Sequence, residues 1–313
     1  MSLEYMVFYH FPCNDGEMSK NIWELKYPNS ICIPWCHSNN NNYSILEKEL
    51  ESRNVVFLDI CPTLNLLPII HSYLIIDHHE NAINTMKQQL DLVLIAEQCS
   101  IFNSPERNNP NIFKIEMNCD IKISGCMGTW KYCYPDVDYS YIVNQIGRKD
   151  IWDFIDINTE PYNIGYNKYL SKFKDQDQDY TINPRDAAIK RLILNDTNKL
   201  HSQFITTGNK MIELYKQDAL KYFENISLQD FIYNNITFKI IDIICDDSNL
   251  FKYLIDIAIE SYNADVLRIL HTITYDTKCY SLRSLKDNIT VDQIARHYGG
   301  NGHPKAAGYN IIL

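Results

Sequence analysis

The run YLIIDHH, Tyr73 to His79, is apolar until it stops on an acid and a pair of histidines. Similar stops close other β-rich runs, at His10 after VFY and at Asp59 after VVFL. Carboxylate oxygens mixed with imidazole nitrogens suit a hard or borderline divalent ion such as Mn²⁺ or Mg²⁺. A carboxylate shared by a pair of such ions holds them roughly 3.5–4 Å apart, where they activate water and clamp a phosphoryl group. A lone Asp after an apolar strand is most often a turn former or a helix cap. Recurrence of the stop across separate strands is what points to chemistry.

Those side chains can meet only if the runs are strands of one sheet. YMVFYH (Tyr5 to His10), ICIPW (Ile31 to Trp35), VVFLD (Val55 to Asp59), YLIID (Tyr73 to Asp77) and LVLIA (Leu92 to Ala96) alternate with helix-compatible segments. Continuous apolar strands of this kind indicate a parallel sheet covered on both faces, with ligands taken at the carboxyl ends of the strands. SILEKELESRN has the spacing of an amphipathic helix starting at Ser44. A polar stretch at 171–186 leads into helical periodicity from Ala187 to about Phe223. Beyond it, a strand from Ile236 to Cys245, a helix from Ser248 to Tyr262 and the strand-like VLRILHTI and CYSLRS describe a smaller α/β domain. The expected organisation is a catalytic domain over 1–182, a helical connector over 183–226 and a second domain over 227–313.

Composition narrows the function classes. A chain of 313 residues suits about two domains. A net charge of −10 disfavours a broad basic face on duplex nucleic acid. No apolar run reaches the ~20 residues that span a bilayer. The start MSLEYMVFYH lacks a basic n-region and runs straight into a strand pattern, unlike a signal peptide. The 10 cysteines are spread singly, which favours reduced thiols in the cytoplasm; neither Cys32, Cys36 and His37 nor Cys119, Cys126 and Cys133 makes the close pairs of a structural zinc site.

Taken in order, YHFPCNDGEMS, FLD ending at Asp59, IIDHHENA, SGCMGTWKYCYP and GRKDIWDF resemble the motifs of the DHH phosphoesterase superfamily. SLRS (Ser281 to Ser284) and GGNGHPKAAGYNI (Gly299 to Ile311) resemble the DHH-associated substrate domain of one subfamily. The resemblance implies an N-terminal parallel-sheet domain with flanking helices and an active site in the cleft to the second domain. It implies metal ligation by His10, Asp15, Asp59, His78 and Asp150, with Asp59 as the bridge. Asp77 would orient the neighbouring imidazoles, and His79 would contact the phosphate or the attacking water. In the second domain it implies substrate binding by Arg283, Gly300, Gly302 and His303, with amide N–H groups of the glycine turn facing an anion. Lys305 is as easily a surface residue as a ligand-facing one.

The first motif departs from the family pattern of acids separated by one residue. HFPCNDGE offers Asp15 flanked at that separation by Cys13 and Glu17, so either Cys13 takes the first acid position or Glu17 the second. A thiolate there would favour ions softer than Mn²⁺. The implied activity is hydrolysis of phosphodiester or phosphomonoester bonds by a metal-activated water, with two Mn²⁺ ions and Mg²⁺ or Co²⁺ as alternatives. The expected substrates are short single-stranded oligonucleotides or small phosphorylated nucleotides, with neither duplex DNA nor membrane as partner. An inorganic polyphosphatase of the same superfamily and a non-catalytic nucleotide or phosphate sensor are the alternatives.

Overall fold

β-branched and aromatic residues concentrate in short runs, and the runs at 5–10, 54–58 and 73–76 become strands buried on both faces. The computed structural model describes residues 5–36, 54–62, 72–79, 82–83, 94–95, 101–103, 114–116, 123–173, 183–195, 197–224, 226–274 and 277–312. It divides into two compact units, Met1–Asn209 and Lys210–Leu313, a division inside the segment read as a connector. The helix read from Ser44 lies outside the described residues.

In the first unit, β1 (Tyr5–His10), β2 (Ile31–Trp35), β3 (Asn54–Leu58) and β4 (Ser72–Ile76) form a parallel set in the order β2-β1-β3-β4. The sheet is not parallel throughout. β6 (Ile101–Asn103) pairs antiparallel with β4, β7 (Lys114–Glu116) antiparallel with β6, and β5 (Leu94–Ile95) lies parallel to β7 at the far edge. Of the LVLIA run, Leu94–Ile95 lies among the described residues, as a strand apart from the parallel set. Val7, Tyr9, Val56, Leu58, Leu74 and Ile76 alternate onto one face and pack with Met18, Ile22 and Trp23 of α1 (Asn14–Lys26) and Ile142, Val143 and Ile146 of α3 (Tyr141–Asp150). Phe8 packs between Phe57 and Trp35, with centroid distances of 5.3 and 5.5 Å. α2 (Gly125–Cys133) packs against α1, and α4 (Thr159–Leu170) follows α3.

The periodicity read from Ala187 to Phe223 resolves into α5 (Pro184–Leu194) and α6 (Asn198–Lys221). Asn183 caps α5 by accepting from the Arg185 N–H at 2.9 Å, and Pro184 takes the first helical position, where a missing N–H costs nothing.

The second unit is a sheet of order β12-β13-β11-β10-β9-β8, made of β8 (Gln229–Tyr233), β9 (Ile236–Ile244), β10 (Val266–Thr274), β11 (Thr277–Ser284), β12 (Asn301–His303) and β13 (Ala306–Ile312). β9 and β10 are parallel and joined through α7 (Phe251–Ser261). Ile241, Ile243, Leu267 and Ile269 pack beneath α7. Their neighbours Ile240 and Val266 face the other side, toward α8 (Asp292–His297).

Candidate metal centre

β1, β3 and β4 run parallel with Tyr9 opposite Leu58 and Leu58 opposite Ile76, so the residues that follow them emerge at one edge. Asp59 donates its N–H to the Ile76 carbonyl at 2.8 Å and buries its side chain completely. Its φ of 59° is left-handed, a conformation Asp tolerates far better than β-branched or bulky residues do. α1 starts directly after β1, with Cys13 at its N-cap and Asp15 in its first turn. Gly16 makes that tight start feasible, since a Cβ there would stand 2.1 Å from the His10 carbonyl oxygen. Asp150 arrives as the last residue of α3.

Together these elements form ligand groups with Asp59 in common. His10, Cys13 and Asp59 make one and Asp15, Asp59, His78 and Asp150 another, with candidate ligand atoms within 4.8 Å of one another in each. Asp59 divides its oxygens between them: Oδ2 lies 3.2 Å from His10 Nδ1, and Oδ1 lies 3.2 Å from His78 Nε2. His78 Nε2 is also 2.9 Å from Asp150 Oδ2 and 3.9 Å from Asp15 Oδ2. Despite these distances, Asp59 Oδ1 and His78 Nε2 are buried atoms without a hydrogen bond of acceptable geometry. Buried polar atoms are normally satisfied. An Asp59 oxygen and a His78 nitrogen that converge without a hydrogen bond between them fit a shared cation.

The electrostatics agree. Burial, then the charges of Asp59 and Asp150, push the Asp15 carboxyl well above its usual range. Burial works against ionised Asp59, but the His10 and His78 imidazoles outweigh it and hold this carboxyl well below its usual range. Burial also opposes a charged His78, yet Asp150, Asp59 and Asp15 lift its imidazole to about 11. Burial and then the Asp59 charge raise the Cys13 thiol. Crowded acids that rely on a histidine proton for compensation are the electrostatic counterpart of a cation site.

Asp77 organises the DHH turn. Its Oδ1 accepts from the backbone N–H groups of His78 and His79 at 2.8 and 3.2 Å and lies 2.7 Å from His79 Nδ1. Asp77 thus orients the His79 ring directly and His78 through its backbone. The alternatives in the first motif separate: Cys13 joins His10 and Asp59, whereas Glu17 is forked by Arg185 of α5, at 2.9 Å from Nε to Oε1 and 2.6 Å from Nη2 to Oε2. Among the described residues Glu17 belongs to no metal-competent group, and its carboxylate is held by Arg185.

The second unit differs from expectation at its glycine turn. The N–H of Gly299 donates to Arg296 O at 3.0 Å, that of Gly300 to Ala295 O at 2.8 Å, and that of Gly302 to Asn301 Oδ1 at 2.8 Å. The first two amides close the C-terminal end of α8 and the third bonds within the turn, so all three already have acceptors in the chain. Gly300 instead permits close packing, since a Cβ there would stand 2.0 Å from the Gly308 carbonyl oxygen. A cavity of about 650 Å³ beside the turn is lined by Arg296, Gly299, Gly300, Asn301 and Tyr309 among others. Arg283 is half-buried on β11 and donates to the Leu282 carbonyl at 2.9 Å, and His303 is exposed on β12; neither lines that cavity. Lys305 is exposed and donates to the Lys286 carbonyl at 2.7 Å.

Gly125 and Cys126 were missed by sequence reasoning. A Cβ at Gly125 would stand 2.6 Å from Asp59 Cβ and 2.9 Å from Asp15 Oδ2, so only glycine lets α2 approach both acids. The Cys126 N–H, at the start of the same helix, lies 3.2 Å from Asp15 Oδ1. The available signal was the SGCMG string itself, which places a glycine at the first position of a helix, where helix propensity alone gives no reason for one.

No family model matches the chain. The uncharacterized protein R106 of Acanthamoeba polyphaga mimivirus is 25% identical over 327 residues, covering 97% of this chain; the chain spans 66% of the length of that curated relative. Among solved structures, RecJ from Thermus thermophilus in complex with Mn²⁺ aligns with 98% of this chain and 49% of its own, at 11% identity and a TM-score of 0.46. The pGpG-specific phosphodiesterase PggH from Vibrio cholerae aligns over 100% and 94%, at 11% identity and a TM-score of 0.43. CDC45 from Entamoeba histolytica aligns over 99% and 92%, at 10% identity and a TM-score of 0.41. At these identities and TM-scores the likenesses assign no activity, and the geometry of the metal centre stands without them.

Proposed function

We propose that the chain is a metal-dependent phosphohydrolase of the DHH type, acting on phosphodiester or phosphomonoester bonds of short single-stranded oligonucleotides or small phosphorylated nucleotides. The observation that carries this reading is the divided use of Asp59, a fully buried carboxylate with one oxygen toward His10 and the other toward His78. Divalent ions held there would supply water activation and neutralise charge on a phosphoryl group. The donor set of Asp15, Asp59, His78 and Asp150 fits Mn²⁺ or Mg²⁺.

The chain's own residues prepare the site. Cys126 N–H orients Asp15, and Asp77 fixes the His79 ring beside the cluster, where it is suited to meet a phosphate or a water. Substrate capture falls to the second unit through Arg283 and His303, to which the cavity wall adds Arg296. A small substrate suits a net charge of −10, which disfavours the broad cationic surface that long duplexes require. The described cysteines are free thiols, and a cytoplasmic location belongs to this proposal on the strength of their single spacing. No helix among the described residues is long and apolar enough to cross a membrane.

The test is Asp59→Asn, since Asn also tolerates the left-handed backbone and preserves shape. Purified protein with Mn²⁺ is offered a dinucleotide, short single-stranded RNA and DNA, a nucleotide bisphosphate and polyphosphate. Hydrolysis of the nucleotide substrates by the wild type, reduced to background by Asp59→Asn or chelator with an unchanged circular dichroism spectrum, is the expected result. Turnover of polyphosphate alone would replace this reading with a polyphosphatase. Nucleotide binding without turnover would make the protein a sensor.

A further inference from the structure

Cys13 occupies a position with a job it does not perform. Helix N-caps favour side-chain oxygens that accept from the first free N–H groups. Cys13 is the N-cap of α1 and makes no side-chain cap bond. Its carbonyl begins the helix by accepting from the Glu17 N–H at 2.9 Å. Its sulfur instead comes within 4.8 Å of a ring nitrogen of His10 and an oxygen of Asp59, in a group that offers one sulfur, one nitrogen and one oxygen donor. The companion group of Asp15, Asp59, His78 and Asp150 offers no sulfur. Glu17, the other side chain at that spacing in the sequence, is held by Arg185.

We infer that the His10–Cys13–Asp59 group is a thiolate-containing site for a borderline ion of the Zn²⁺ class, so that the paired ions are chemically unlike: Zn²⁺ beside Cys13, and Mn²⁺ or Mg²⁺ beside Asp15 and Asp150. Thiolate selects softer ions than carboxylate does. A thiolate with the carboxylates of Asp15, Asp59 and Asp150 contributes a formal −4, which balances a pair of divalent cations. On binding, the thiol proton leaves to solvent as the sulfur–metal bond forms. The inference rests on the two-ion reading of Asp59 and is independent of which phosphoester is cleaved.

The experiment uses Co²⁺ as a spectroscopic stand-in on the metal-free full chain. A thiolate-to-Co²⁺ charge-transfer absorption should appear in the near ultraviolet, saturate at about one equivalent and be displaced by Zn²⁺ in preference to Mn²⁺. Cys13→Ser should abolish the absorption while Co²⁺ still binds at the companion group. Cys13→Asp should do the same and shift the Zn²⁺-over-Mn²⁺ preference by about tenfold or more toward Mn²⁺. The paired variants keep the test decisive if one of them fails to fold. Absorption that survives loss of Cys13, or Co²⁺ binding by the wild type without any such absorption, overturns the inference. The absorption without hydrolysis of any phosphoester in any metal would sink the phosphohydrolase reading alone. Hydrolysis with no thiolate absorption would sink this inference alone.

Discussion

Gly125→Ala tests whether the approach of α2 to the acids is a requirement of the metal centre. The added Cβ would lie 2.6 Å from Asp59 Cβ, 2.8 Å from Asp59 Oδ1 and 2.9 Å from Asp15 Oδ2, against an ordinary carbon–carbon separation of about 3.5–4.0 Å. Something must move by about 1 Å. Asp59 is tied at its backbone to Ile76, and Asp15 sits in the first turn of α1 with the Cys126 N–H against it, so neither neighbour is a flexible chain end. Overpacking of this kind costs about 1–3 kcal/mol. Helix propensity works the other way, favouring Ala by at most about 1 kcal/mol, and less at a helix start. The overlap wins.

The effect on metal should exceed the effect on folding. Coordination tolerates errors of about 0.2 Å, so ligands displaced by about 1 Å should weaken binding by 100-fold or so. Metal at 100 times its Kd stabilises the native state by about 2.7 kcal/mol, and a site weakened 100-fold would retain only about 0.4 kcal/mol of that. Thermal unfolding with and without Mn²⁺ reads the difference directly. Gly299→Ala is the control: its Cβ would meet nothing within 4 Å, and only the left-handed φ of +76° is penalised, by about 1–2 kcal/mol. A Gly125→Ala protein whose Tm rises with Mn²⁺ as much as the wild type would refute the reasoning.

His78 supplies a pH prediction. Its imidazole is raised to about 11 in the metal-free fold from an ordinary 6.5, so its protonated form stabilises the fold fully below about 6.5, and that contribution is lost as pH rises toward 11. Chelator-treated protein should lose stability across that window, His78→Asn should flatten the loss, and metal binding near neutral pH should release at least about one proton, read by calorimetry in buffers of different ionisation enthalpy. Arg185→Ala should leave buried Glu17 without its fork, lowering stability by about 1–3 kcal/mol while metal stoichiometry stays unchanged; loss of a metal would restore Glu17 as a ligand. Hydrolysis of a dinucleotide, a longer single strand and a duplex at several salt concentrations should favour the short substrate with a shallow salt slope, and processive degradation of the long strand would contradict the small-substrate reading.

The edge of the parallel sheet was legible because its strands are uninterrupted apolar runs with polar stops. Tyr5–His10 and Ile31–Trp35 were bounded in the sequence as they are in the structure, and Asp59 and Asp77 follow directly on the ends of β3 and β4. What escaped the sequence depends on tertiary approach. Gly125 matters only because α2 meets Asp59, and a glycine at a helix start in SGCMG does not say which side chain lies opposite it. The Arg185–Glu17 fork joins residues 168 positions apart. β6 and β7 are too short to show a period, so the turn to antiparallel pairing was invisible. In the second unit the glycines were read for their backbone freedom, but their N–H groups have acceptors at the end of α8 and in the turn itself.

The ambiguity of the first motif dissolves once the start of α1 is known. In the string CNDGE the residues on either side of Asp15 are equally spaced from it, so spacing alone cannot choose between them. Helix geometry can. Asp15 and Glu17 both lie within α1, where residues two apart are rotated by about 200° and so point to opposite sides. Asp15 faces the metal centre, which sends Glu17 toward α5, where Arg185 receives it and where Lys20, one turn on, pairs with Asp186. Cys13 precedes the helix in extended conformation, with φ −148° and ψ 133°, and is released from that rotation. It can therefore face the same site as Asp15. The helix that aims Asp15 at the Asp59, His78 and Asp150 cluster turns Glu17 away from it, and the position beside His10 and Asp59 falls to the Cys13 sulfur.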